Sequence, residues 1–166
     1  MFRVETLRAC VQGLFMKYRS LHTRFGDLTL TEKDGAITGL DWYWSRTQDA
    51  SALLDDAVGQ LADYDRGARE EFDLPLRVAG SDFQRDVCAE MSAIPFGYTK
   101  TYGDIAKALS VPAQAVGQAC GGNPIPIIIP CHRVMGAKGL TGFSGRGGVE
   151  MKVALLRHEG AAGLLI

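Results

Sequence analysis

Apolar residues along the chain first alternate and then recur at helical spacing, and that change of period predicts the elements. Between 22 and 44, Leu28-Thr29-Leu30-Thr31 alternates, Lys33-Asp34-Gly35 supplies a turn, and 36–44 runs back. Asp-Gly tolerates the positive φ angles of a tight reversal, so this stretch predicts a β-hairpin. Over 49–64, Leu53, Leu54, Ala57, Val58, Leu61 and Tyr64 return every three or four positions, which predicts an amphipathic helix. Residues 1–19 carry Phe2, Leu7, Val11, Leu14 and Phe15 without a period that decides between strand and short helix. The stretch 65–80 reads as a linker holding a short strand over 72–78, interrupted by Pro75.

A second unit starts at Ser81. Phe83, Val87, Met91 and Ile94 share one face, with Ser81 a suitable N-cap, so 81–94 is expected to be helical until Pro95-Phe96-Gly97 ends it. Tyr102, Ile105, Ala106 and Leu109 predict a short helix over 101–109. Ser110-Val111-Pro112 makes a tight turn and 113–120 forms a second short helix, the pattern of a helix-turn-helix. A glycine-rich loop spans 136–148, and Val153, Leu155 and Leu156 place a closing helix over 149–159.

Charge adds a polarity to this division. Residues 1–80 hold 10 Lys and Arg against 13 Asp and Glu, whereas 81–166 hold 8 against 6. A net charge of −1 excludes a molecule attracted to nucleic acid as a whole, but the basic bias of the second half suits one nucleic-acid-facing surface. Lys100, Lys107 and Lys152 read as surface lysines. No apolar run is long enough for a membrane span, and the opening residues lack a secretory pattern, so the reducing cytoplasm is the expected compartment. Cys10, Cys88, Cys120 and Cys131 have no metal-ligand spacing; Cys10, Cys88 and Cys120 read as packing residues. His22 and His158 read as bystanders.

Cys131 stands apart. Pro124, Pro126 and Pro130 lack amide donors, so 124–130 cannot be a central ladder strand and should form a stiff, irregular path that holds the next residues in one place. The thiolate is the nucleophilic form of cysteine, and His132 could take the proton directly or through water, with a lowered thiol pKa expected. A carboxylate on the far ring nitrogen would fix the tautomer, and Glu159 is the candidate. An inert buried cysteine is the alternative.

Pro130-Cys131-His132-Arg133-Val134, after Asn123-Pro124 and the isoleucine run, resembles the acceptor-cysteine signature of the O6-alkylguanine-DNA alkyltransferases. Phe83-Gln84-Arg85, Ile94-Pro95-Phe96-Gly97, Thr101-Tyr102-Gly103-Asp104-Ile105-Ala106, Ala115-Val116-Gly117 and Leu155-Leu156-Arg157-His158-Glu159-Gly160 extend the likeness. It is specific over about 80–166 and looser over about 22–80. The resemblance implies an α+β chain: an RNase H-like N-terminal domain with a small antiparallel sheet over 1–79, linker included, and a winged-helix C-terminal domain over 80–166. It implies a single-use DNA-repair protein without cofactor or metal, acting on double-stranded DNA as a monomer, alone or cooperatively. The damaged guanine flips out through the minor groove and its O6-alkyl group passes to Cys131, aided by His132 and Glu159. Asn123 would be the hinge asparagine, and Tyr102 would help flip the nucleotide and bond guanine N3. The carbonyls of Cys131 and Val134 would read the exocyclic amine, and an N–H of Ser144 or Gly145 would meet O6. Thr101, Gln114, Ala115, Gly117 and Arg133 would contact DNA.

Three departures from the family pattern stand out. Gln114 occupies the place of the usual intercalating arginine, 17 residues before Cys131. The turn at 110–112 is about two residues short, and the pocket loop has Phe143 where many relatives place tyrosine, with one residue more. Either Phe143 or Arg146 would cover the flipped base. The alternatives are a lesion-binding protein of the same fold without catalysis, a winged-helix regulator, and a cysteine hydrolase.

Overall fold

The computed structural model describes residues 16–139 and 148–161. Expectations for 1–15, including Cys10, and for Phe143, Ser144, Gly145 and Arg146 lie outside the described residues. The predicted hairpin is two strands of a three-stranded antiparallel sheet, β1 (Lys17–Thr23), β2 (Gly26–Lys33) and β3 (Ala36–Asp41), in the order β1-β2-β3. Asp34 and Gly35 take φ of 50° and 76°, the positive angles a two-residue reversal requires. The alternation in β2 sorts its faces: Leu28 and Leu30 enter the core, while Thr29 turns the other way and bonds Ser20 Oγ at 2.7 Å. β1 escaped sequence reasoning because Tyr18, Arg19, Ser20 and His22 give it no apolar alternation.

Helix α1 (Ala52–Asp65) begins at Ser51, whose hydroxyl accepts from Leu54 N–H, and packs across the sheet with Leu54, Ala57, Leu61 and Tyr64. Each fully buried leucine of this kind contributes about 1.5–3 kcal/mol. The strand expected over 72–78 shrinks to one bridge, Ile37 to Leu76, because Pro75 cannot donate to a ladder and serves as the acceptor for Ile37 N–H at 2.8 Å.

The second half holds α2 (Asp82–Ser92), capped by Ser81, then β4 (Lys100–Thr101), α3 (Tyr102–Leu109) and α4 (Ala113–Gly121). Thr101 and Asp104 form a reciprocal capping box at the start of α3. Ser110 ends α3 in the left-handed region, φ 55°, and gives the sharp turn into α4. After α4 come a 3-10 turn (Cys131–Arg133), β5 (Val134–Met135), which pairs in parallel with β4, and α5 (Gly148–His158). One buried apolar cluster runs from Leu21 through Tyr64, Val87 and Ile105 to Leu155, joining both halves. No helix among the described residues is long and apolar enough to cross a membrane.

Candidate active site

Three prolines shape the approach to Cys131 as expected. Ile127 takes φ 71°, and Ile129 N–H returns to the Ile125 carbonyl at 2.8 Å. Successive residues of the 3-10 turn beyond it project roughly 120° apart, so Cys131, His132 and Arg133 fan out instead of alternating across a sheet. Asn123 braces this geometry. Its amide donates to Ile129 O at 2.8 Å, its carbonyl accepts from Ile125 N–H at 3.0 Å, and its own N–H bonds Cys120 O at the end of α4.

Glu159 gathers the buried charges. Its Oε1 lies 2.7 Å from His132 Nε2, 2.9 Å from Arg133 Nη2 and 2.8 Å from the Tyr64 hydroxyl, and its Oε2 accepts from Arg133 Nε at 2.9 Å. Gly97 lets the chain pass here: it sits at φ 83°, and a side chain on it would come within 3.3 Å of the Glu159 carbonyl. Burial alone would raise the Glu159 pKa, but hydrogen bonds from His132 and Arg133 outweigh it and hold the carboxyl at about 2. An ionised carboxylate only accepts, so Nε2 carries the His132 proton and Nδ1 keeps its lone pair. Nδ1 is buried and has no hydrogen-bond partner among the described residues. Desolvation disfavours the imidazolium and pulls the His132 pKa below its ordinary range. The product is a neutral base adjoining Cys131.

Two expectations need correction here. Burial pushes the Cys131 thiol above its ordinary range, with the Asn123 amide and the Lys152 charge opposing only in part. The resting sulfur is therefore a thiol, 5% exposed, that must lose its proton during the reaction. Arg133, expected on DNA, is 6% exposed and committed to Glu159 and to the Ile94 carbonyl, the latter at 2.6 Å. Its guanidinium cannot also reach a phosphate.

Lys152 is a third correction. It is fully buried on α5, where its ammonium donates to the Val134 carbonyl and stands 5.9 Å over the Tyr102 ring. Desolvation lowers its pKa, opposed by the nearby Cys131 and Cys120. The missed signal was spacing: Lys152, Leu155, Leu156 and Glu159 share one helical stripe, and all four are buried. His158 is no bystander either, since its Nε2 bonds the Tyr64 carbonyl at 2.7 Å.

A groove of about 640 Å³ opens beside this centre, lined by Thr101, Tyr102, Gln114, Gly117, Gln118 and Gly136 among others. Val116, Ala119 and Cys120 bury the inner side of α4, which leaves Gln114 and Gln118 exposed and Ala115 half-buried. A methyl group added at Gly117 would meet nothing within 4 Å among the described residues, so their packing does not require its bareness. Sequence reasoning passed over Gln118, one helical turn from Gln114. The structure thus brings Cys131, His132, Glu159, Asn123, Val134 and Tyr102 into one region, with Thr101, Gln114 and Gly117 lining the groove beside Tyr102 and Ala115 outside that lining.

Residues 82–161 match the family model described as the DNA-binding domain of 6-O-methylguanine DNA methyltransferase. The chain is 41% identical to the methylated-DNA–protein-cysteine methyltransferase of Mycolicibacterium paratuberculosis over 87% of this chain and 92% of that one. It superposes on the crystal structure of Mycobacterium tuberculosis O6-methylguanine methyltransferase with a TM-score of 0.78, at 40% identity over 88% of this chain and 93% of that one. The TM-score is also 0.78 against the same organism's protein in complex with DNA, at 40% identity over 90% and 97% of the two chains.

Proposed function

Because the chain belongs to the methylated-DNA–protein-cysteine methyltransferase family, we propose that it repairs DNA directly, moving an alkyl group from O6 of guanine to Cys131 in a single, irreversible event. The observation that carries this reading is the buried His132, whose Nε2 lies 2.7 Å from Glu159 Oε1 and which adjoins the buried Cys131. In the reaction the Cys131 S–H proton passes to His132 Nδ1, directly or through water. The sulfur lone pair attacks the alkyl carbon in line, the carbon–O6 bond breaks, and its electron pair leaves with the guanine. The imidazolium that forms faces the Glu159 carboxylate, which stabilises it. A thioether is stable at neutral pH, so each molecule acts once.

The finer reading concerns access to the base. α4 enters the minor groove, where Gly117 and Ala115 allow close approach and Gln114 fills the gap left by the flipped nucleotide. Unstacking that nucleotide costs on the order of a few kcal/mol. Thr101 contacts the backbone, and Tyr102 helps the flip and bonds guanine N3. The carbonyls of Cys131 and Val134 read the exocyclic amine, an N–H of Ser144 or Gly145 meets O6, and Phe143 or Arg146 covers the base. Asn123 is the hinge that ties α4 to the acceptor turn. Support comes from the unexplained bareness of Gly117 and the exposure of Gln114 beside Tyr102. Included in the proposal are a cytoplasmic monomer, an RNase H-like domain over 1–79 and a winged-helix domain over 80–166.

Incubation with O6-benzylguanine or an O6-methylguanine oligonucleotide, followed by intact-mass and peptide analysis, tests the reading. One adduct per molecule on the Cys131 peptide is expected, and none in Cys131→Ser. Repeated turnover would indicate a hydrolase instead, and DNA binding without an adduct would indicate a lesion-binding protein or regulator.

A further inference from the structure

We infer that Tyr64 is a positioning residue for alkyl transfer: reaching across from α1, its hydroxyl orients the Glu159 carboxylate for His132. This role rests on the function proposed above. Tyr64 is 1% exposed in the last turn of α1, and its hydroxyl donates to Glu159 Oε1 at 2.8 Å across 95 positions of sequence. Oε1 is also the atom that bonds His132 Nε2, so the phenol shares the acceptor that fixes the imidazole. Three donors converge on Oε1, from Tyr64, His132 and Arg133, against one on Oε2. Arg133 grips the carboxylate edge with its fork, and the phenol approaches from a separate helix to hold the remaining side.

Tyr64 is itself held firmly. Its ring packs against Phe72 at 5.5 Å, Phe25 at 6.1 Å and Phe96 at 6.3 Å between centroids, and its carbonyl accepts from His158 Nε2 at 2.7 Å. His158 and Glu159, successive residues at the end of α5, therefore grip Tyr64 at its backbone and at its hydroxyl. Burial and the Glu159 charge push the phenol pKa well up, so it remains a donor throughout the working range. The relay is thus incomplete within 82–161, because one of its donors comes from the N-terminal half.

Removing that donor should have two consequences. Glu159 loses part of its orientation, which slows proton transfer. The negative charge on Oε1 is also less shared, so the imidazolium is favoured and His132 protonates at a higher pH. The charged and titratable groups facing His132 are Lys152 from α5 and Glu159 just beyond its end, Arg133 and Cys131 from its own turn, and Tyr64 from α1.

The test compares Tyr64→Phe, which removes only the hydroxyl, with Leu54→Ala, which weakens the same helix without touching Glu159. Both are made in the full chain and read by rapid-quench benzyl transfer from O6-benzylguanine at temperatures where circular dichroism reports each variant folded. For Tyr64→Phe the transfer rate at saturating substrate should fall roughly 3- to 10-fold, as expected for one lost hydrogen bond to a charged group expressed in part on the rate. Half-saturation should be unchanged, the acid limb of the rate–pH profile should move to higher pH, and the His132 ring ¹⁵N signals should shift. Leu54→Ala should keep the wild-type rate and profile. An unchanged rate, profile or ring signal in Tyr64→Phe overturns the role, as does the same change in Leu54→Ala. A wild-type chain that forms no adduct overturns the alkyl-transfer reading itself, a separate failure.

Discussion

Seventeen residues along the chain separate Gln114 from Cys131, and the two neighbourhoods are built by opposite rules. Around Cys131 the described polar side chains are withdrawn from solvent: His132 and Lys152 are 0% exposed, Glu159 is 4%, and the carboxylate, the guanidinium and the ammonium each have a protein partner. Along the outer side of α4 the rule inverts. Gln114 and Gln118 are exposed, Gly117 offers no side chain, and Pro112 stands at the N-cap without a side-chain hydrogen bond. A proton relay works best when its dipoles are fixed beforehand in a dry setting, because water would dilute every charge. Under the proposed function α4 approaches the nucleic-acid backbone, and such a surface has to leave space for its partner to complete the packing. Glu159 should therefore resist substitution through stability, and Gly117 through function alone.

The largest expected effect falls on Glu159. Glu159→Ala leaves the Arg133 charge buried and unpaired, which should cost about 3–5 kcal/mol of stability and remove measurable transfer. Glu159→Gln should retain more stability while slowing transfer roughly 100-fold or more through loss of the imidazolium's counter-charge. Urea unfolding and quench kinetics on the two variants separate these effects. The pH dependence is set by the same carboxylate. Its folded pKa, about 2, lies below that of an unfolded chain, so its contribution is complete above the ordinary carboxylate range and is lost as pH falls through that range towards about 2. Thermal melts should record a steady loss of wild-type stability over that window and a flatter response in Glu159→Gln. A wild-type melt independent of pH there would mean that the cluster does not hold the fold.

On the open side the effects are smaller and of another kind. Gln114→Arg should speed repair of duplex DNA roughly 3- to 10-fold, because guanidinium stacks and screens better than a shorter neutral amide. Reaction with free O6-benzylguanine should stay unchanged. Equal single-turnover rates on duplex DNA would remove Gln114 from the flipping step. Gly117→Ala should be the subtlest change. With nothing among the described residues within 4 Å of the added methyl, the helix should gain about 0.5–1 kcal/mol, while DNA affinity falls and free-base reactivity stays level. A stabilised variant with full DNA affinity would break the contrast between the two neighbourhoods.

Legibility in the sequence tracks the range of the interactions. The Asp34-Gly35 reversal, the Ser81 cap and the apolar stripes of α1, α2 and α3 are set by neighbours within a few residues, and the structure contains them where local rules put them; Thr101, read as the first residue of α3, is instead its cap. Cys131, His132 and Glu159 were legible through chemical type and resemblance. Strand β1 was not, because its partner in β2, not its own pattern, makes it a strand.

By itself, then, the sequence determined the elements, the proline-stiffened approach to Cys131 and the residue types able to perform alkyl transfer. Only the tertiary structure decided that Lys152 and Arg133 are internal, that the resting sulfur is a thiol, and that Tyr64 meets Glu159 across 95 positions. The reason is physical: desolvation and long-range hydrogen bonds depend on what folds against a group, and a side chain carries no record of that in its own neighbours along the chain.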